Sequence, residues 1–122
     1  MVDDEDQLAH LACLFLRRAG YQTLKANSAS EAVDVWNAEI ELLLTDCAMP
    51  DSWGDQLAIQ LLERKPTLKV LFMSGNSPDT IDASIPLRSG VNFIQKPFVA
   101  DELLTLVTQA FNSEVAAVSS MI

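Results

Sequence analysis

Glu41-Leu42-Leu43-Leu44-Thr45-Asp46 holds an unbroken apolar run, Leu42-Leu43-Leu44, and ends on a carboxylate. It shows no alternation, so both sides of the segment call for burial, as in a strand of a parallel sheet covered on two faces. Two further stretches share the design. Val2-Asp3-Asp4-Glu5 and Phe93-Ile94-Gln95-Lys96-Pro97 each pass from apolar to charged where a strand would leave a sheet. In open α/β folds, ligands bind at that edge.

Outward from these runs, helix and strand patterns alternate. Residues 6–19 place Leu8, Leu11, Ala12, Phe15 and Ala19 on one helical face, with Gly20 as the stop. Tyr21 to Lys25 reads as a short strand. Ser28-Ala29-Ser30-Glu31 reads as a capping box for a helix carrying Ala32, Val35 and Trp36. After the 41–45 strand, Asp46 to Gly54 is a loop rich in turn residues. The pattern then predicts a helix over 55–64, a strand over 68–73, a weak helix over 78–89 broken by Pro86, a strand over 91–95 and a helix over 101–111. Such alternation implies right-handed crossovers and a doubly wound parallel sheet of the flavodoxin-like order 2-1-3-4-5. That order sets the first and third strands side by side at its centre, so that Asp3, Asp4 and Asp46 would converge.

A chain of 122 residues, 49% hydrophobic and 20% charged, has the make-up of a single compact domain. The net charge of -9 argues against a nucleic-acid footprint and against contact with anionic membrane. No apolar run approaches the ~20 residues that span a bilayer, and the acidic start is unlike a secretion signal, so a cytoplasmic location is expected. Cys13 and Cys47 are isolated and fit no zinc pattern; His10, the one histidine, falls in a helical pattern far from the strand ends.

Three carboxylates and an ammonium at one edge suggest a Mg2+ site with a phosphoryl acceptor. Mg2+ keeps several waters and binds through one or two carboxylates plus phosphate oxygens. Phosphoryl transfer then needs an in-line nucleophile and stabilised charge. A carboxylate can be that nucleophile, giving an aspartyl phosphate. Asp46 is the candidate acceptor, Asp3 and Asp4 the acids beside it, Lys96 the cation for a phosphoryl oxygen, and Ser74 a hydroxyl donor.

With these residues in order, the chain resembles the receiver domain of two-component response regulators over essentially its whole length. The matching residues are Asp3-Asp4, Asp46 followed by Met49-Pro50, Ser74-Gly75 and Lys96-Pro97-Phe98. The phrases Val70-Leu71-Phe72-Met73-Ser74-Gly75 and Phe93-Ile94-Gln95-Lys96-Pro97-Phe98 look most like receivers of hybrid histidine kinases. The resemblance implies phosphorylation of Asp46 by a histidine kinase or histidine phosphotransfer domain. It also implies Mg2+ held by Asp3, Asp4, Asp46 and the backbone carbonyl of Ala48, a switch through Ser74 and Phe93, and a cis Lys96-Pro97 bond.

It further implies a receiver over residues 1–111, with 112–122 a helix extension, linker or tail, and leaves a homodimer open. The first strand is expected to be truncated, with only Met1 and Val2 before the acids. Two alternatives stand beside this reading: a receiver-like interaction module that is not phosphorylated, and a Mg2+-dependent phosphatase. Against the phosphatase, Ala48 stands where a second acid would be needed. No stand-alone enzyme is expected beyond self-catalysed phosphotransfer and dephosphorylation; kinase activity would require a longer hybrid protein.

Overall fold

A computed structural model describes residues 1–2, 6–49, 51–77, 81 and 85–112. The elements in chain order are α1 (Asp6–Arg18), α2 (Ala29–Val35), β1 (Leu42–Asp46), α3 (Gly54–Arg64), β2 (Lys69–Ser74), β3 (Phe93–Gln95) and α4 (Ala100–Asn112). The three strands form one parallel sheet in the order β1-β2-β3. Val2 extends the pairing beyond β1 by single parallel bridges, to Thr45 on one side and Ala26 on the other.

The unbroken apolar run of β1 is explained by its two burial partners. Leu43 packs with Ala29, Ala32, Leu57, Leu61 and Phe72 beneath α2 and α3. Leu44, one residue on, packs with Ala12, Leu16, Leu71, Leu103 and Val107 beneath α1 and α4. Successive side chains of a strand point to opposite faces, so a strand covered on both sides must be apolar at every position.

Several expectations shift. No strand forms over 21–25; pairing there is confined to Ala26, whose N–H donates to the Met1 carbonyl at 2.9 Å, and to the Met1 amino group, which donates to the Leu24 carbonyl at 2.8 Å. Among the described residues, Val2 is the residue that bridges to this side, through Ala26. Among the described side chains of α1, Ala12, Cys13 and Leu16 are buried, while Leu11 is 47% exposed. That helix is apolar around most of its circumference, so periodicity alone does not fix which side faces inward.

The last strand begins at Phe93, because Val91 and Asn92 belong to a turn that Gly90 opens with φ of 77°. The side chain of Asn92 holds this turn, accepting from the Arg88 N–H at 2.7 Å and donating to the Pro86 carbonyl at 2.8 Å. Described residues 85–89 are not helical; the rest of the expected 78–89 helix, apart from residue 81, lies outside the described residues. Ser28 does cap α2, its Oγ accepting from the Glu31 N–H at 3.1 Å. No helix among the described residues is long and apolar enough to cross a membrane.

Candidate functional site at the strand ends

Parallel pairing brings three distant residues to one edge. β1 ends on Asp46 and β2 on Ser74, while β3 leads directly into Lys96. The register sets Asp46 beside Met73, and the Lys96 N–H donates to the Ser74 carbonyl at 2.7 Å. From there the Lys96 ammonium reaches Asp46 Oδ2 at 3.0 Å. Both side chains are largely withdrawn from water, at 10% and 12% exposed, so their attraction is screened less than a surface pair's. The Lys96–Pro97 peptide bond is cis.

The remaining expected residues lie around this pair. The Ser74 hydroxyl accepts from the Asn76 N–H at 3.0 Å. Phe93 is fully buried against the α2–α3 side of the core. Ala48 sits in the stem of a small hairpin and bridges Trp53. The hairpin is closed by the Gly54 N–H to the Cys47 carbonyl at 2.8 Å and the Met49 N–H to the Ser52 carbonyl at 3.0 Å. Neither bond uses the Ala48 carbonyl. Asp3 and Asp4 lie outside the described residues; Val2, just before them, pairs with Thr45, just before Asp46.

Gly54 closes the hairpin that follows β1 back onto the strand end, and a Cβ there would overlap the Asp46 carbonyl oxygen. Asp55, the first acid of α3, is buried, and its Oδ1 accepts from the Gln56 N–H at 3.0 Å. Sequence reasoning did not single it out. Its effect shows on Cys47, whose thiol is pushed up to about 12, first by burial and then by the charges of Asp46 and Asp55, with Lys96 opposing.

A second unforeseen contact is that of Asp51. Its carboxylate accepts from the Ala29 N–H at 3.0 Å and the Ser30 N–H at 2.9 Å, and these two bonds hold its pKa below the usual carboxylate range. A side chain bonded to backbone more than 20 positions away leaves no periodic trace in a sequence.

A family model for the response regulator receiver domain matches residues 1–108. The chain belongs to the response regulator receiver domain family of two-component signalling. The sensor kinase CckA of Brucella abortus (strain 2308) is 27% identical over 117 residues, covering 93% of this chain and 12% of that protein. The transcriptional regulatory protein GlrR of Escherichia coli (strain K12) is 30% identical over 121 residues, covering 96% of this chain and 27% of that protein. Among solved structures, the receiver domain from the hybrid histidine kinase CckA aligns with a TM-score of 0.74 at 30% identity, covering 89% of this chain and 94% of that one. This chain spans less than half the length of the curated relatives it matches.

Proposed function

We propose that this receiver is a phosphoacceptor, taking a phosphoryl group on Asp46 from a phosphohistidine of a histidine kinase or histidine phosphotransfer domain. The observation that carries the reading is the ion pair of Lys96 with Asp46 at 3.0 Å, on the edge where the parallel strands end. An Asp46 oxygen attacks phosphorus as the phosphorus–nitrogen bond of the phosphohistidine breaks, and the imidazole nitrogen keeps the electron pair. Lys96 turns from the carboxylate oxygen to an oxygen of the arriving phosphoryl group.

The donors fit Mg2+, a hard cation that takes oxygen ligands. Asp46 supplies a carboxylate and Ala48 a backbone carbonyl that the hairpin leaves unused. Asp3 and Asp4 complete the proposed set. When bound, the ion neutralises charge between the carboxylates and the phosphoryl group. Ser74 then bonds the new phosphoryl oxygen, and Phe93 repacks to pass on the change.

The bridges of Val2 to Ala26 and to Thr45 support the five-position order 2-1-3-4-5. Residues 1–111 are the proposed signalling unit, working in the cytoplasm beside its kinase. The test is intact-mass measurement after incubation with Mg2+ and acetyl phosphate. One phosphoryl adduct is expected, absent with Asp46→Asn and absent in EDTA. A folded protein that gains no adduct contradicts the proposal.

A further inference from the structure

The hairpin of residues 47–54 is held at two ends. At its base, the Gly54 N–H bonds the Cys47 carbonyl at 2.8 Å; at its tip, Asp51 grips the first turn of α2 through Ala29 and Ser30 at 3.0 and 2.9 Å. The leading N–H groups of a helix have no partner within the helix. Here Asp51 takes those of Ala29 and Ser30, and Ser28 takes that of Glu31. The anchor is firm, because Ala29 and Ala32 of α2 are buried in the same cluster as Cys47 and Met49 of the hairpin. Between base and tip lies Ala48.

We infer that Asp51 is a positioning residue, tying the hairpin tip to α2 and so holding the Ala48 carbonyl at a fixed place relative to Asp46. The inference rests on the reading of Asp46 and Ala48 as metal ligands. With the tip released, the hairpin keeps its two backbone bonds and the burial of Cys47 and Met49 but loses its tie to the first turn of α2, which leaves the exposed Ala48 between them room to shift. Mg2+ demands near-ideal octahedral geometry, so a displaced carbonyl weakens binding before it affects the fold. Partners that orient metal ligands from outside commonly change affinity by about 10- to 100-fold.

The experiment is Mg2+ titration of the full chain by calorimetry, with thermal unfolding in EDTA measured in parallel. Asp51→Ala is expected to raise the Mg2+ dissociation constant about tenfold. Ser28→Ala removes the neighbouring cap of the same helix; it is expected to lower the melting temperature without changing Mg2+ affinity.

Asp51→Ala also deletes a negative charge, so the comparison is repeated near 1 M salt, where the Debye length is about 3 Å. A positioning effect persists there as the same ratio between variant and wild type; a ratio that collapses to one overturns the proposal. So does unchanged affinity in Asp51→Ala, or an equal loss in Ser28→Ala. Wild-type protein that binds no Mg2+, or binds it equally well as Asp46→Asn, defeats the site reading itself and this inference with it.

Discussion

The Lys96 ammonium lies 3.0 Å from Asp46 Oδ2, joining two positions 50 apart in the chain. Three strand ends thus meet at the edge of the sheet, where this bond ties two of them together. The bond sets the proposed acceptor carboxylate beside the cation that the proposed product would need. Losing Lys96 therefore affects the reaction twice, since the carboxylate loses its orienting partner and the phosphoryl oxygens lose a counter-charge.

Lys96→Met keeps the length of the side chain and removes the ammonium. A charge-assisted hydrogen bond is worth about 1.5–3 kcal/mol, so phosphorylation of Asp46 by acetyl phosphate should slow by about 10- to 100-fold. A time course of intact mass measures this directly. An unchanged rate would mean that Lys96 has a structural role alone.

Ser74→Ala should separate chemistry from response. In this structure the hydroxyl accepts from the Asn76 N–H at 3.0 Å and stands beside the site without bonding Asp46 among the described contacts. The variant should take up the phosphoryl group at close to the wild-type rate. It should lose most of the slowing of amide exchange that phosphorylation brings to residues 74–77, because the bond it lacks shifts a two-state segment about 10- to 100-fold. Equal protection in both proteins would remove Ser74 from the switch.

Cys47 should resist alkylation although it adjoins Asp46, the proposed acceptor. Its thiol is pushed up to about 12, so at pH 8 only about one molecule in ten thousand carries the reactive thiolate. Iodoacetamide should leave Cys47 unmodified in native protein and label it in urea, as read by peptide mass. The same shift predicts a pH dependence of stability. The unfolded thiol ionises near its ordinary pKa while the folded one stays neutral, so the unfolded state binds fewer protons above about pH 9. Stability should therefore decline between about pH 9 and 12.

Gly54→Ala should be costly for a reason unrelated to backbone freedom. Its Cβ would overlap the Asp46 carbonyl oxygen, forcing apart the end of β1 and the start of α3. Such overpacking typically costs about 1–3 kcal/mol, and urea unfolding would show it as a lower midpoint with little change in slope. Mg2+ binding should weaken along with it, since the hairpin closes through the Gly54 N–H.

What could be read in the sequence follows from which interactions leave a pattern. β1 was legible because burial on both faces demands the unbroken Leu42-Leu43-Leu44 run, and the register of a parallel sheet then aligns Asp46, Ser74 and Lys96 without any knowledge of their contacts. The inward stripe of α1 was not legible, since Leu11 and Leu16 are equally apolar and packing against α4 decides between them. Residues 21–25 carry strand-forming side chains, yet pairing needs a partner, and among the described residues Val2 is the one that bridges to that side, at Ala26. The clamp of Asp51 on α2 was invisible for a different reason: a capping acid supplied from a distant loop has no spacing to search for.

The most direct measurement is the chemical identity of the phosphorylated residue. After treatment with Mg2+ and acetyl phosphate, the protein is reduced with borohydride, which converts an aspartyl phosphate to homoserine, and the peptides are mapped by mass. Homoserine at position 46, and at no other aspartate, is the predicted result. Unmodified Asp46 in a folded protein, or homoserine at a different position, would contradict the account of this site.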